Sequence, residues 1–201
     1  EAIRIARATL GEEHPETGQL IHNLATLYDD LKDYARAEEA YRESIRIFEA
    51  VFGDRTHVRT AMNIRNFALS LHAAGRYREA EELHREVHTS LNTVLGPDHI
   101  YTATAAVSLG RTLTAQGRAD EALEWIVPAR RTLEAQLPDG HWLTAVARRD
   151  EGGARMAAGH LEQAESLLLE AYATLERVRG PSNYTTTEAR TLLAELYDRT
   201  G

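Results

Sequence analysis

The sequence predicts an all-α solenoid, a stack of antiparallel helix pairs. Three observations predict it. A loop phrase recurs at a fixed interval, apolar residues fall at helical spacing on both sides of each loop, and the composition favours helix. Ala, Leu, Glu and Arg are plentiful, aromatics make up only 6% and proline is rare.

The recurring phrase is "LGEEHPET" at 10–17, "FGDRTHVRT" at 52–60, "LGPDHIYT" at 95–102, "LPDGHWLT" at 137–144 and "RGPSNYTT" at 179–186. Its polar anchors His14, His57, His99, His141 and Asn183 are separated by 43, 42, 42 and 42 residues. A threonine stands three residues after each: Thr17, Thr60, Thr102, Thr144 and Thr186. Eighteen residues after each anchor come Lys32, Gly75, Gly117, Gly159 and Gly201, and twenty-three after the first four come Ala37, Ala80, Ala122 and Ala164. A constant period of this size means stacked supersecondary units and not one globular core.

Each unit begins with a first helix. "PETGQLIHNLATLYDDL" places Leu20, Ile21, Leu24, Leu27, Tyr28 and Leu31 at helical spacing. A break follows ("KDY", "GRY", "GRA" or "GHL"), whose glycine can take the left-handed conformation that closes a helix. The second helix then runs through "ARAEEAYRESIRIFEAVF" and its equivalents, with acids expected in its first turn, where the helix dipole favours them. Helices of about 18 residues would be roughly 27 Å long. The loop phrase is thus a helix stop followed by a helix start. Gly11, Gly53, Gly96 and Gly180 end one helix, His or Asn caps the next, and Pro15 takes the first helical position, where its missing N–H costs nothing.

The predicted organisation is a single array: residues 1–10 as the second helix of a partial repeat, full repeats at 14–53, 57–95, 99–137 and 141–179, and residues 183–200 as a final first helix. Neither end carries a polar cap of the kind solenoids need. The chain therefore reads as part of a longer protein, and its terminal faces would support end-to-end self-association.

Several function classes are disfavoured. Lys and Arg total 23 against 31 Asp and Glu, a net charge of −8, which argues against nucleic acid or an anionic membrane as partner. No apolar run approaches the roughly 18 residues of a membrane span, and no signal peptide is visible, so a cytoplasmic setting is expected. There is no cysteine, hence no disulfide or thiolate chemistry. The four loop histidines lie one repeat apart, too distant to share a metal. His84 and His88 stand four apart in "HREVH", but a metalloprotease needs glutamate where Arg85 stands. No phosphate-binding glycine loop and no nucleophile elbow is present. Neither catalytic residues nor a cofactor nor a metal is expected.

Ala25, Ala68, Gly110, Gly152 and Ala194 hold the eighth position of a tetratricopeptide pattern, followed by Tyr28, the glycine turn, Tyr34 or Tyr77, and Ala37 or Ala80. With the 42-residue spacing and the "LGPDH…T…NLA" phrasing, the chain resembles the kinesin-light-chain type of tetratricopeptide repeat over nearly its whole length. In bacteria that type is similar to arrays attached to signalling ATPases and protein kinases. The resemblance implies a right-handed superhelix whose first helices line a concave groove.

It also implies which positions face that groove: Gln19, His22, Asn23, Thr26 and Asp29, then Met62, Arg65, Asn66, Leu69 and His72. The third repeat contributes Thr104, Val107, Ser108, Arg111 and Thr114, and the fourth Val146, Arg149, Asp150, Gly153 and Met156. Asn23 and Asn66 match the family's groove asparagine, whose amide bonds a peptide backbone; Ser108 and Asp150 depart from it. The binding residues nominated are His22, Asn23, Arg65, Asn66, Leu69, Ser108, Arg111 and Arg149. In the second to fourth repeats three arginines stand against one acid, Asp150, which suggests acidic segments or a carboxyl end as ligand; the alternative is ordinary solvated charge.

The fourth repeat breaks the pattern. Arg148, Glu151 and Arg155 stand where other repeats place core residues, and an arginine lies three before and four after Glu151. Three readings are open: a buried charge network, a rotated helix that turns Leu143, Ala147, Ala154 and Ala158 inward, or a ligand anchor. Gly152 and Gly153 cost this helix about 1 kcal/mol each relative to alanine. Pro128, inside the preceding helix, is expected to kink it. The function predicted is a protein–protein interaction scaffold. A regulatory arm of a larger signalling ATPase or kinase, and a self-assembly module, are the alternatives.

Overall fold

The computed structural model describes residues 1–200. They hold ten α-helices and no strand. Two compact units are present, Glu1–Gly96 and Pro97–Gly201. The first comprises α1 (Ala2–Leu10), α2 (Pro15–Asp30), α3 (Tyr34–Phe52), α4 (Val58–Ala73) and α5 (Tyr77–Leu95). The second comprises α6 (Ile100–Ala115), α7 (Ala119–Gln136), α8 (Trp142–Ala157), α9 (Leu161–Arg179) and α10 (Tyr184–Thr200). Within each unit every helix packs against the next in the chain.

The loop anchors are helix caps. The Nδ1 of His14, His57, His99 and His141 accepts the backbone N–H two residues on, at 3.2, 3.3, 3.1 and 3.2 Å. The Oδ1 of Asn183 does the same at 3.0 Å. Each satisfies one of the donors that a helix start leaves unpaired. An accepting Nδ1 leaves Nε2 as the ring's N–H donor. Thr17 ties the loop shut by donating from Oγ1 to the carbonyl of Gly11 at 2.9 Å.

The breaks between first and second helices are all the same turn. Asp33, Arg76, Arg118 and His160 donate their backbone N–H to the carbonyls of Tyr28, Leu71, Leu113 and Arg155 at 2.8–3.0 Å. The residue before each donates to the carbonyl one position further on, at 2.8–3.2 Å. This pair of bonds defines the Schellman closure, which needs a left-handed residue at its centre. Gly117 fills that place with φ +79°, but Lys32 fills it with φ +58°, and is the one non-glycine residue at positive φ among those described.

The sequence expectation of acids in every second helix's first turn fails at α3, which has none there. The Asp33 side chain instead caps α3 from outside, accepting from Arg36 N at 3.2 Å. Pro128 lies inside α7, which runs unbroken from Ala119 to Gln136.

The core of each helix pair is a small residue against a large one. Ala25, Ala68, Gly110 and Gly152 on the first helices meet a second helix that buries Tyr41, His84, Ile126 or Leu168 to 1% exposure or less. Where the small residue is glycine the fit is tightest. A Cβ on Gly110 would collide with Ile126, and one on Gly152 would stand 2.7 Å from Leu168 Cγ. Interiors packed this closely register a single methyl group. Ala194 holds the same position on α10 and is exposed.

Candidate interaction surface

In the first unit the nominated positions form one polar face on α2 and α4. Gln19, Asn23 and Thr26 are exposed, one turn apart on α2, while His22, Arg65, Asn66 and Leu69 are half-buried. Gln19 Nε2 donates to Asn23 Oδ1 at 3.0 Å. His22 lies between the helices, with Nδ1 2.9 Å from Asn63 Oδ1 and Nε2 3.0 Å from Asn66 Nδ2. Asn63 Nδ2 donates to Ser44 Oγ at 2.6 Å, and Ser44 Oγ donates to the Gly18 carbonyl at 2.8 Å.

One set of roles satisfies the whole chain. The Asn66 amide donates to His22 Nε2, His22 Nδ1–H donates to Asn63, Asn63 donates to Ser44, and Ser44 donates to the backbone. His22 is therefore neutral and its tautomer fixed. Burial lowers its pKa, more than its bond to Asn63 and the charge of Asp29 raise it. Asp29, at the end of the same face, accepts from Tyr41 Oη at 2.9 Å and Ser70 Oγ at 2.5 Å. Burial raises the Asp29 pKa against the pull of these two bonds. Burial, then the neighbouring Asp29 charge, pushes the Tyr41 phenol up. The sequence reading named His22 and Asn66 but missed Ser44 and Asn63. Both lie in apolar-patterned stretches, and only their contacts reveal them.

In the second unit most of the nominated positions turn inward. Ser108 is buried and its Oγ donates to the Thr104 carbonyl of its own helix at 3.0 Å; Arg149 is 1% exposed. An open groove position was expected for both. The small residues of α6 explain the difference: Ala103, Ala106 and Val107 share a core cluster with Ala147 of α8, so the two first helices approach closely and cover the side chains between them. Arg149 Nε and Nη2 both contact Asp150 Oδ1, at 2.8 and 2.7 Å, and Nη1 reaches Glu188 Oε2 at 2.7 Å. The other Glu188 oxygen takes Arg111 Nη2.

Sequence reasoning missed Glu188. It stands five residues after Asn183, the same place in the repeat as Gln19, Met62, Thr104 and Val146, and that register would have found it. Burial works against the charge of Arg111, but Asp150 and Glu188, aided by Tyr184, outweigh it and raise the Arg111 pKa.

The charges at Arg148, Glu151 and Arg155 pair within the protein. Glu151 is buried, and it takes Arg130 Nε at 2.6 Å and Arg155 Nε at 2.7 Å. Arg148 has no direct contact with Glu151 and joins the network through Glu134. It pairs with Glu134 at 2.8 Å, and Glu134 also binds Arg130 at 2.5 Å. Arg130, on α7, was not anticipated, although it faces Glu151 across the helix pair. Ala147 and Ala154 of α8 are buried as well, with Leu143 and Ala158 half-buried. His84 is fully buried on α5, in the place that Tyr41 holds on α3, and His88 is half-buried. Among the described residues no three metal-ligating side chains converge. No helix is long and apolar enough to cross a membrane.

Stacked helix pairs with Schellman breaks, capped loops and a small-against-large core define a repeat solenoid. The model of the tetratricopeptide repeat matches residues 1–50 and 58–127, more than half of the sequence, and the chain belongs to that family. Repeats of this family generally act as scaffolds for protein–protein interaction and not as enzymes. The chain is similar in fold to nearly identical TPR-like repeats from a kinesin-light-chain candidate of Podosopora anserina, at 23% identity and TM-score 0.65 over 87% of this chain and 82% of that one. A singly substituted form of those repeats aligns at 22% identity and TM-score 0.72, covering 94% and 88%. BtubC (BKLC) from P. vanneervenii aligns at 16% identity and TM-score 0.74, covering 98% and 78%. None of the curated proteins matches the chain.

Proposed function

We propose that the chain is a protein-interaction module that takes a peptide or helical segment along the exposed faces of its first helices, with a preference for acidic segments or a carboxyl end. The observation that carries this reading is the face of α2 and α4 in the first unit. Gln19, Asn23 and Thr26 are exposed there beside half-buried Arg65, Asn66 and Leu69, and the Asn66 amide is held in place by His22. A preset amide meets a peptide main chain without first losing its own conformational freedom. Arg65 in the first unit and Arg111 in the second, each taken by itself, support the acidic preference, since guanidinium groups suit carboxylates.

The test is selection of binders from a random twelve-residue peptide library on the chain, followed by affinity measurement on an Asn23→Ala/Asn66→Ala variant. Selected peptides should carry excess acid, weaken with salt, and lose about tenfold or more on the double variant, as expected for lost hydrogen bonds at an interface. Peptides that bind the variant as well as the parent would sink the assignment.

A further inference from the structure

We propose that Arg111 receives a ligand carboxylate and that Glu188 occupies it until the ligand arrives, so that binding at α6 is an exchange of one carboxylate for another. The proposal rests on the peptide-binding reading above and deepens it by naming the chemistry and regulation of one contact.

The four charges form a line in which each has a distinct role. Arg149 and Asp150 make the floor, with side chains 2% and 6% exposed. Both contacts run from Arg149 to a single Asp150 oxygen, so this arginine has its own counter-charge whatever Glu188 does. Arg111 and Glu188 make the rim, with side chains 23% and 31% exposed. Glu188 is the carboxylate that Arg111 holds directly, with Asp150 acting on it from the floor, and the Arg111–Glu188 pair opens to water. A buried pair resists exchange because separation strands a charge in low dielectric. The rim pair resists it less: when Glu188 leaves, Arg149 loses the contact from Nη1 but keeps Asp150 through Nε and Nη2.

Register points the same way. Arg111 lies twelve residues after its anchor, where the other repeats have Thr26, Leu69, Gly153 and Glu195. Glu188 lies five after its anchor, and is the one acid among the five residues at that place. Neither charge belongs to the pattern that builds the repeat. They are a matched pair added to it, on α6 and α10. With Glu188 in place the four groups sum to zero; without it, a charge of +1 remains on a permanently ionised, geometrically fixed fork. The ligand that fits is what Glu188 itself presents: a carboxylate on a flexible arm, as on an acidic peptide side chain.

The experiment compares the full chain with Glu188→Gln and with Arg111→Gln/Glu188→Gln, using fluorescein-labelled acetyl-hexaglutamate amide and its hexaglutamine counterpart in anisotropy titrations at fixed ionic strength. Glu188→Gln should bind the acidic peptide about tenfold tighter than the parent, through removal of the internal competitor. The double variant should lose that gain, and the glutamine peptide should show neither effect. The acidic peptide should also raise the melting temperature of Glu188→Gln by mass action and leave that of the double variant unchanged, a readout that works even where the variant is less stable. Equal affinity of parent and Glu188→Gln overturns the exchange, and so does a gain that persists in the double variant. Either result leaves the library selection on α2 and α4 standing, so the two ideas fail separately.

Discussion

Gly152 and Leu168 touch so closely that no larger residue fits at 152, while the glycine beside it has room to spare. A Cβ on Gly152 would stand 2.7 Å from Leu168 Cγ and 2.9 Å from its Cδ2, with the Ala164 carbonyl 3.4 Å away. A Cβ on Gly153 would meet Leu192 Cδ1 at 3.5 Å, ordinary van der Waals contact. Two adjacent glycines in one helix therefore have opposite reasons. Gly152→Ala should cost about 1–3 kcal/mol through overpacking. Gly153→Ala should gain about 0.5–1 kcal/mol by restricting the unfolded chain and improving helix propensity. Urea denaturation of the two variants checks the contrast; destabilisation of similar size in both would refute it.

Lys32 takes a conformation that its three counterparts leave to glycine. Its φ of +58° brings Cβ against the following carbonyl, a strain of roughly 1–2 kcal/mol. Lys32→Gly should therefore stabilise the first unit, by about 1 kcal/mol after the added backbone entropy is subtracted. The reverse change at an equivalent turn, Gly117→Ala, should cost a similar amount. The melting temperatures of the two variants should move in opposite directions, and a fall in both would show that the turn does not set the local energy.

Much of this fold was legible because it is written by local rules. The cap histidines, the left-handed turns and the eighth-position small residues each act within a few residues of themselves, so position in the repeat identifies them. What escaped depends on contacts distant in sequence. Arg130 reaches Glu151 across 21 residues, and Arg111 reaches Glu188 across 77. Periodicity places such residues on a face but does not say which of two facing helices comes close enough to bury them. Ser108 and Arg149 show this most clearly. Their register is that of exposed Asn23 and half-buried His22, but the alanine-rich surface of α6 draws α8 inward and covers them.

Glu151 stands where the earlier repeats have Leu24, Phe67 and Leu109, and Arg130 stands where they have Ile45 and His88. The junction of the third and fourth repeats thus carries an ion pair at positions that hold Ile45 and Phe67 in the first two. Glu151→Gln removes the charge that Arg130 and Arg155 share, and should cost about 1–3 kcal/mol, since half-buried Arg155 loses its carboxylate while Arg130 keeps Glu134. Glu151→Leu/Arg130→Ile restores the apolar version, with Arg155 able to turn to solvent. It should recover most of the loss or exceed the parent, as replacement of buried ion pairs often does. A double-mutant cycle on denaturation midpoints measures the coupling. If the leucine–isoleucine variant is as unstable as Glu151→Gln, the contact depends on charge for its geometry and the equivalence between repeats fails.

His22 should make the stability of the first unit depend on pH, with a sign that follows from its environment. Burial lowers its pKa in the folded chain, whereas the unfolded chain titrates near the ordinary value of about 6.5. As pH falls through that value the unfolded state takes up a proton that the native state refuses, and stability is lost. The loss levels off once pH passes below the lowered folded value. His88, also lowered by burial, adds a term of the same sign. Asp29, raised by burial, has the opposite sign: its native carboxyl binds a proton more readily than the unfolded one, so acidification through its folded value favours the native state. His22→Gln keeps a donor and an acceptor between Asn63 and Asn66 but cannot titrate, and it leaves His88 and Asp29 in place. Melting temperatures of parent and variant, measured from about pH 7.5 to about pH 5 so as to span that ordinary histidine value, should therefore diverge, with the parent falling more steeply. Parallel curves would mean that His22 takes up its proton as easily folded as unfolded, and that the hydrogen-bonded chain from Asn66 to Gly18 does not hold it neutral.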